Sequence, residues 1–228
     1  MKFLKQLIPN GNPSASEPVG THSSFEGVAD GQMEEHLAVA RYGSFLLTDA
    51  VRPAYDLSVV PSAGYRRDVY SDKENGAEVP VLMAAQTKER LFELFLDLLD
   101  PLGSEVDVVL ESSHSGQKTD QYREQMDLPI LKSTLWDFED LLLNDGCTGI
   151  AVLNPRAELE VQFDEHKLLV VYGRDLLEFE SILDDAKLRC SDDIRFITEA
   201  EHVHSSDEEF KDAHDQLALR LGIDDYEF

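Results

Sequence analysis

Two histidines at alternate positions, His202 and His204, are the strongest candidates for chemistry in this sequence. Alternate residues of a β-strand point to the same side, so both imidazoles would face one way. With Glu201 or Asp207 nearby, the pair could contribute to a zinc site. A structural zinc site requires four ligands and a catalytic one three, and the sequence offers no third histidine at a fixed spacing. We therefore expect no tightly held metal here, and interpret the pair as polar side chains at a strand end.

Cys147 and His114 are the other residues whose types could support catalysis. Cys147 lies in the glycine-rich stretch 146–149, where exposure and nearby amides would favour a nucleophilic thiolate. The same stretch is typical of a helix that ends and runs into a strand, and the negative end of a helix dipole disfavours a thiolate. His114 is flanked by serines, but sequence neighbours rarely form a catalytic triad. We interpret both residues as structural.

Recognisable local motifs for cofactors and nucleotides are absent from the sequence. No Gly-x-Gly-x-x-Gly follows a predicted strand, and the sequence contains neither a Walker-type loop nor a Gly-x-Ser-x-Gly elbow. The acid pairs Asp184-Asp185 and Asp192-Asp193 could bind magnesium, but 46 of the 228 residues are acidic, so adjacent acids are expected anyway. We expect no cofactor and leave catalytic residues unassigned.

The net charge of −26 is the most unusual property of the composition. A field of this sign repels phosphate backbones and anionic lipid, so we expect neither nucleic-acid nor membrane binding. The charge favours either a basic protein partner or simply solubility, including adaptation to a salty cytoplasm. Two cysteines are too few for a disulfide framework, and the first residues lack the apolar core of a signal peptide. We expect a cytoplasmic protein.

Four acids, Glu89, Glu93, Asp97 and Asp100, recur at spacings of three and four along one predicted helix. Like charges at this spacing destabilise a helix by about 0.2–0.5 kcal/mol per pair, and acids near its C-terminus oppose the dipole. A solvated face that salt screens is one interpretation. A surface for a basic partner is the other.

The hydrophobic pattern divides the first half of the chain into a leader and one folded unit. Residues 1–30 are interpreted as a flexible leader, and its apolar residues Phe3, Leu4, Leu7 and Ile8 could alternatively form a docking peptide. The predicted elements that follow are a helix from about 31 to Leu47, strands at 55–60, 65–70 and 79–85, a helix from Thr87 to Gly103, a strand at 106–110 and a helix near 119–127.

The second half shows the same order of elements. The pattern predicts a helix over 135–142, strands at 149–153, 159–163 and 168–172, a helix after Asp175, a strand over 194–197 and a last helix after Ser206. In the strand 159–163, Glu160 and Gln162 alternate with apolar residues, which predicts one solvent-facing side.

The agreement between the halves predicts an internal repeat. An offset of 87 aligns Phe92 with Phe179 and Asp97 with Asp184. We expect an α+β protein of two similar tandem units, 31–128 and 129–228, each with the order helix, three-stranded meander, helix, strand, helix, and with helices packed on small, mostly antiparallel sheets. This order is similar to that of secretion-chaperone-like domains, which are also acidic and work as twofold dimers.

Three classes of function are open at this point. A non-catalytic acidic protein that binds or regulates a partner is favoured, because no reactive constellation is visible and the acidic faces are extensive. An enzyme whose site is assembled from distant residues is the main alternative, since such a site leaves no local motif. A structural subunit of a larger assembly is the third class.

Replacing Glu93 and Asp97 with lysine tests the hypothesis that this acidic helix docks a basic partner. We expect the double variant to be as stable as the wild type or slightly more stable. The repulsion between neighbouring acids is removed, and lysines near the C-terminus of the helix interact favourably with its dipole. It should nevertheless lose capture of basic proteins from cell lysate at low salt. Wild-type capture should weaken as salt rises, since exposed charges are screened beyond about 10 Å at 0.1 M. Recovery of the same proteins by both forms would contradict docking.

Overall fold

The computed structural model describes residues 22–71, 76 and 78–223. Within them are six α-helices, eleven β-strands and two short 3-10 turns at Asp100–Leu102 and Ile197–Glu199. The helices are α1 Asp30–Leu37, α2 Lys88–Leu99, α3 Leu128–Trp136, α4 Glu139–Asn144, α5 Leu177–Asp185 and α6 Glu208–Arg220. The strands are β1 Arg41–Tyr42, β2 Phe45–Leu46, β3 Val51–Pro53, β4 Gly64–Ser71, β5 Glu78–Ala85, β6 Glu105–Ser112, β7 Thr119–Asp127, β8 Thr148–Asn154, β9 Leu159–Phe163, β10 Leu169–Gly173 and β11 His202–His204.

Seven of these strands form one antiparallel sheet in the spatial order β4-β5-β10-β9-β8-β6-β7. β1 pairs with β2, and β11 pairs with β3, in two separate two-stranded sheets. The expected mixture of helices with mostly antiparallel sheets is therefore confirmed.

The middle of the large sheet consists of the most apolar segments of the chain. β5 and β10 pair with each other, with Leu82 opposite Val171 and Met83 opposite Val170. Every residue of β10 is buried, as are the last five of β5. Apolar runs of this kind are typical of strands covered on both faces, so the buried strands predicted at these positions are confirmed.

Helices cover one face of the large sheet, and mostly irregular chain covers the other. On the helical face, Leu91, Phe95 and Leu98 of α2 pack in the larger apolar cluster. On the opposite face, Phe45 and Phe196 belong to a second cluster with alternate residues of β5 and β10. Among the described residues, no helix has the length and apolar character needed to cross a membrane.

Residues 119–127, predicted as a helix, form the edge strand β7 instead. They pair antiparallel with β6 from Ser112 opposite Thr119 to Glu105 opposite Asp127. An irregularity in this pairing, where Gln125 has a φ of 55°, precedes Met126, which is buried. The spacing of Tyr122 and Met126 fits a helix, but pairing with β6 satisfies the backbone of one whole side of the strand, and such tertiary pairing overrides a weak local pattern.

The strands predicted at 55–60 and 194–197 are absent from these positions. The first segment is a turn, in which Leu57 has a φ of 51° and the carboxylate of Asp56 accepts a hydrogen bond from the Ser58 N–H. The second is a loop that leads into the turn Ile197–Glu199. Their apolar residues, Val59 and Phe196, are buried as single side chains of loops, which apolarity alone cannot distinguish from strand residues.

The first predicted helix is much shorter than expected. α1 ends at Leu37, and Gly43, with a φ of 61°, lies in the turn between β1 and β2. Leu47 is buried in the second apolar cluster rather than on a helix. The chain has therefore left the helical conformation before Gly43, and glycine adopts the left-handed conformation of the β1–β2 turn without steric cost.

Only the end of the predicted leader falls within the described residues. Residues 1–21, including the candidate docking peptide, lie outside them. The hydroxyls of Ser23 and Ser24 donate hydrogen bonds of 2.5 and 2.6 Å to the carboxylate of Glu201. The segment after residue 21 is therefore attached to the loop that precedes β11.

The repeated order of elements is not confirmed. Strands β4 to β7 of the first proposed unit and β8 to β10 of the second share one sheet. The first half lacks the predicted strand at 55–60 and the predicted helix at 119–127. The similarity to secretion-chaperone-like domains depended on that order, and it loses its basis with it.

The solvent-facing side predicted for β9 is covered in the structure. Glu160 lies opposite Tyr172 of β10, and both side chains are buried. The Gln162 amide donates a 2.5 Å hydrogen bond to Glu160, yet burial raises the pKa of Glu160 to about 7. Tyr172 belongs to the second apolar cluster with Phe45 and Phe196, so Glu160 lies on the face of the sheet that this cluster covers, whereas Gln162 on the same face is half-buried.

Substituting Glu160 with glutamine should change how stability depends on pH. Because the pKa of this carboxyl is raised in the folded state, its contribution to the free energy of unfolding is fully present below about pH 4.5. That contribution is lost as pH rises through about 7. At pH 8 we expect the Glu160→Gln variant to be more stable than the wild type by about 2–3 kcal/mol, with little difference at pH 5. Urea unfolding at both pH values measures this.

Glu178, an exposed carboxylate on α5, provides the matched control for this experiment. Glu178→Gln should leave the stability difference between pH 5 and pH 8 unchanged. An equal pH dependence in the Glu160→Gln variant and the wild type would show that Glu160 is not a strained buried acid.

Candidate metal centre

Three histidines from two separate segments converge at one edge of the fold. The ring centroids of His202 and His204 lie 5.1 Å apart, and that of His166 lies 4.9 and 4.7 Å from them. One ring nitrogen of each lies within 4.8 Å of one ring nitrogen of each of the others. The structure thus supplies the third histidine whose absence led us to expect no metal. We refer to these three residues as the three-histidine centre.

The strand β11 places His202 and His204 on one side, as the alternation in the sequence predicted. β11 pairs antiparallel with β3, with His202 opposite Pro53 and His204 opposite Val51. Val203, between them, points to the other side of the strand by the same alternation. His202 and His204 therefore lie on the same side of one strand, as predicted.

A tight turn between β9 and β10 places His166. The buried carboxylate of Asp164 accepts hydrogen bonds from the backbone N–H groups of His166 at 3.0 Å and Leu168 at 2.8 Å. Lys167 adopts a φ of 64°, and its ammonium donates a 2.9 Å bond to the Thr148 carbonyl. The turn is thus held from inside by Asp164 and anchored to β8 by Lys167.

In all three rings, Nδ1 donates to an acceptor. His166 Nδ1 bonds the Asp164 carboxylate at 3.0 Å. His202 Nδ1 bonds the Ala200 carbonyl at 2.8 Å, and His204 Nδ1 bonds the Gly146 carbonyl at 2.7 Å. Carbonyls only accept, so the proton of each neutral ring is on Nδ1 and the lone pair is on Nε2. Metal-binding histidines commonly show this pattern, in which the second nitrogen is fixed by a carboxylate or carbonyl.

The charge states at the centre follow from burial and from Asp164. Burial lowers the pKa of both His202 and His204, which keeps them neutral near pH 7. Burial alone would also lower the pKa of His166, but the charge and hydrogen bond of Asp164 outweigh it and raise that pKa. Burial likewise opposes ionisation of Asp164, but His166 and the Leu168 N–H hold its pKa low.

Further carboxylates surround the turn. Glu165 forms an ion pair with Lys118, which lies between β6 and β7. Burial, with the charges of Glu165 and Asp120, raises the pKa of Glu111 to about 7. The negative potential of these acids favours a bound cation at the neighbouring histidines.

A narrow cleft adjoins the centre at His166. Apolar side chains form most of its lining, including Phe45, Leu91, Phe196 and Ile197. Its volume is about 30 Å³. A cavity of about 10–15 Å³ accommodates one water molecule, so this cleft is large enough to hold water beside His166.

A close approach of three chain segments fixes the Gly146 carbonyl, which accepts the hydrogen bond from His204 Nδ1. Gly146 donates its N–H to the Ser205 carbonyl, and Ser205 donates its N–H to the Ala50 carbonyl, both at 2.8 Å. A Cβ atom at position 146 would lie too close to the Ala50 oxygen and 2.8 Å from the Ser205 oxygen. Only glycine therefore lets the carbonyl of residue 146 reach His204.

Of the four acids of the predicted docking face, Glu89, Glu93 and Asp97 lie along the exposed side of α2, and Asp100, also exposed, begins the 3-10 turn that follows it. Glu89 forms a 3.1 Å ion pair with Arg41, and Asp100 forms a 2.7 Å ion pair with Lys132. Among the interactions of the described residues, Glu93 and Asp97 have no such pair. No hydrogen bond or ion pair of the described residues links these four acids to the three-histidine centre.

Comparisons of the chain with models of protein families, with curated proteins and with solved structures found no match.

Sequence reasoning missed His166 because it depends on a contact between segments far apart in the chain. The only local signal was the tight turn Asp164-Glu165-His166 between two apolar strands. An aspartate two residues before a histidine in such a turn is suited to bond its Nδ1, but the proximity to β11 follows from the tertiary fold alone.

The Gly146→Ala variant should disrupt the centre. Its Cβ forces the loop 145–147 away from Ala50 and Ser205, and overpacking of this kind costs about 1–3 kcal/mol. We expect a lower Tm together with weaker metal binding. Gly31→Ala is the matched control, because a Cβ there meets nothing within 4 Å. A wild-type Tm in the Gly146→Ala variant would contradict the close approach.

Proposed function

We propose that this protein binds a divalent transition metal, with zinc the best fit, through Nε2 of His166, His202 and His204. The observation that carries the proposal is the hydrogen bonding of Nδ1 in all three rings, which leaves Nε2 as the metal-binding nitrogen of each. A chance cluster of histidines would not be expected to have every ring oriented in this way.

The spacing of the rings supports zinc. With Zn–N bonds of about 2.0–2.1 Å in tetrahedral geometry, two bound imidazoles have centroids about 5.2 Å apart. The three observed separations are 4.7, 4.9 and 5.1 Å. The separations of the ring centroids are therefore close to those expected for rings that share one zinc. Imidazole ligands also suit copper, nickel and iron, and zinc is the common choice for a site of this geometry.

Three protein ligands leave a fourth position for water. Sites with three ligands and an open position are typical of catalytic zinc, whereas structural zinc has four protein ligands. A bound zinc lowers the pKa of its water towards 7 and so provides a nucleophile. This favours the second of the functions expected from the sequence, an enzyme whose site is assembled from distant residues.

The surroundings of the centre favour neutral or cationic substrates. Asp164, Glu165 and Glu111 lie around the turn that carries His166, and the net charge of the chain is −26. Such a field opposes the approach of phosphate groups. Hydrolysis of a neutral carbonyl compound is the reaction class that the centre suits best.

A basic protein partner for α2 is the second candidate function. Its support is the pair Glu93 and Asp97, which are exposed and form no ion pair with another described residue. Burial and the charges of Asp100 and Glu93 raise the pKa of Asp97 despite the opposing effect of Lys132, so the acids repel one another. An incoming cation would relieve this repulsion.

Metal analysis of histidine variants tests the proposed centre. Dialysed wild-type protein should retain zinc, and its Tm should rise when zinc is added, since a ligand at 100 times its Kd stabilises the folded state by about 2.7 kcal/mol. His166→Ala and His204→Ala should each lose one equivalent of zinc and the associated rise in Tm. His22→Ala is the control, because His22 is exposed, lies outside the three-histidine centre and has its Nδ1 2.9 Å from the Glu26 carboxylate.

Asp164→Asn separates a metal centre from a fortuitous cluster. Loss of a carboxylate that orients a ligand reduces metal affinity by about 10–100-fold without abolishing binding. Equal zinc content in the wild type, His166→Ala and His204→Ala forms would refute the proposal.

A further inference from the structure

A second group of metal-binding side chains lies near the first but shares no residue with it. His114, in the turn between β6 and β7, meets Asp145 and Cys147 in the loop between α4 and β8. One ligand atom of each lies within 4.8 Å of the others. Asp145 is fully buried, and the side chain of His114 is 8% exposed. Nitrogen, oxygen and sulfur donors thus lie together, with the Asp145 carboxylate fully buried and Cys147 partly exposed.

A fourth donor, His214 of α6, packs against this group. Its ring centroid lies 5.6 Å from that of His114, close to the separation of about 5.2 Å for two imidazoles on one tetrahedral zinc. The side chain is 6% exposed, and its Nε2 is buried without a hydrogen-bond partner in the described part of the chain. Buried polar atoms are nearly always satisfied, so this nitrogen requires an explanation.

Each histidine of this group also has its other ring nitrogen next to a polar group. His114 Nδ1 lies 3.4 Å from the Ser206 hydroxyl, and His214 Nδ1 lies 3.5 Å from the Asp215 carboxylate. Nε2 is therefore the inward nitrogen of both rings. This is the arrangement in which neighbouring groups orient metal-binding histidines.

The Asp145 carboxylate is held in place by groups other than His114. One oxygen accepts a hydrogen bond from the Cys147 N–H at 3.2 Å, and the other accepts one from the Thr148 hydroxyl at 2.5 Å. His114 Nε2 lies 3.0 Å from Asp145 Oδ2. Two ligands of tetrahedral zinc are about 3.3 Å apart, so these two donors already have nearly the separation that a shared zinc requires.

We propose that His114, Asp145, Cys147 and His214 form a second metal site, of the closed structural class, for zinc or another metal that accepts thiolate. A carboxylate and a thiol distinguish its donors from those of the three-histidine centre. His214, packed beside His114, would complete the four protein ligands that a structural site requires. The thiolate sulfur selects Zn²⁺ over Mg²⁺ or Ca²⁺, which prefer oxygen. Such a metal ties α6 to the turn after β6 and to the loop before β8.

The sequence interpretation of these residues as structural is compatible with this role. Cys147 was interpreted as following the end of a helix, and α4 does end at Asn144 just before it. A bound metal deprotonates a coordinating thiol outright, so the unfavourable helix dipole does not prevent coordination. The imidazole of His114 contacts the carboxylate of Asp145, 31 positions further along the chain, rather than one of the serines beside it in the sequence.

Cobalt substitution tests the second site. Co²⁺ added to metal-free protein should produce a thiolate-to-cobalt charge-transfer band in the near ultraviolet, which sites with only nitrogen and oxygen ligands lack. Cys147→Ser should lose this band. Cys190→Ser, the matched control at the only other cysteine, should keep it. His166→Ala should also keep it, so failure of the three-histidine centre and failure of this site are distinguishable.

His214→Gln supplies a second variant that leaves the thiol in place. It should weaken cobalt binding at the sulfur-containing site at least tenfold and alter the visible absorption bands that report coordination number. Should Cys147→Ser not fold, this variant and the wild-type spectrum decide the matter. Absence of the charge-transfer band in the wild type, or its persistence in Cys147→Ser, would overturn the proposal and leave His114 and Asp145 as a hydrogen-bonded pair only.

Discussion

The close contact of Gly146 with the backbone at positions 50 and 205 is the constraint on which both candidate metal sites depend. Two 2.8 Å backbone hydrogen bonds join three segments that are remote in sequence. Because a side chain at position 146 would collide with both neighbours, the contact requires glycine. The Gly146 carbonyl orients His204 in the three-histidine centre. The residues on either side of Gly146, Asp145 and Cys147, belong to the second site with His114.

The two sites differ in the number of ligands that they offer, and this difference predicts different roles. The three-histidine centre provides three nitrogens beside a cleft large enough for water. The second site offers a carboxylate and a thiol beside two histidines, and Asp145 and His214 are buried there. A metal at the first would retain an exchangeable position for chemistry, whereas a metal at the second would fix α6. The carboxylates near both sites would stabilise a bound cation.

Local patterns in the sequence were sufficient to predict the centre of the sheet but not its margins. The apolar runs of β5 and β10 and the wide apolar face of α2 are strong signals, and these elements formed as predicted. β7 was mistaken for a helix because an edge strand with few buried residues has no clear period. The buried state of Glu160 was missed because the chain that covers it comes from elsewhere in the sequence.

The same distinction applies to the candidate sites. The alternation of His202 and His204 is a local property, and the structure shows both on β11. The meeting of His166 with them, and of His114 with Asp145 and His214, depends on tertiary contacts that no local spacing encodes. The number of possible metal ligands decides whether a metal site is expected, and this number is evident only from the fold.

X-ray diffraction from crystals grown with zinc, measured at the zinc absorption edge, tests the central claim most directly. The account predicts an anomalous difference peak about 2.0–2.1 Å from Nε2 of His166, His202 and His204, with Nδ1 of each ring still bonded to its present acceptor. Ordered density for all three rings with no anomalous peak between them, in crystals that contain zinc in solution, would contradict it.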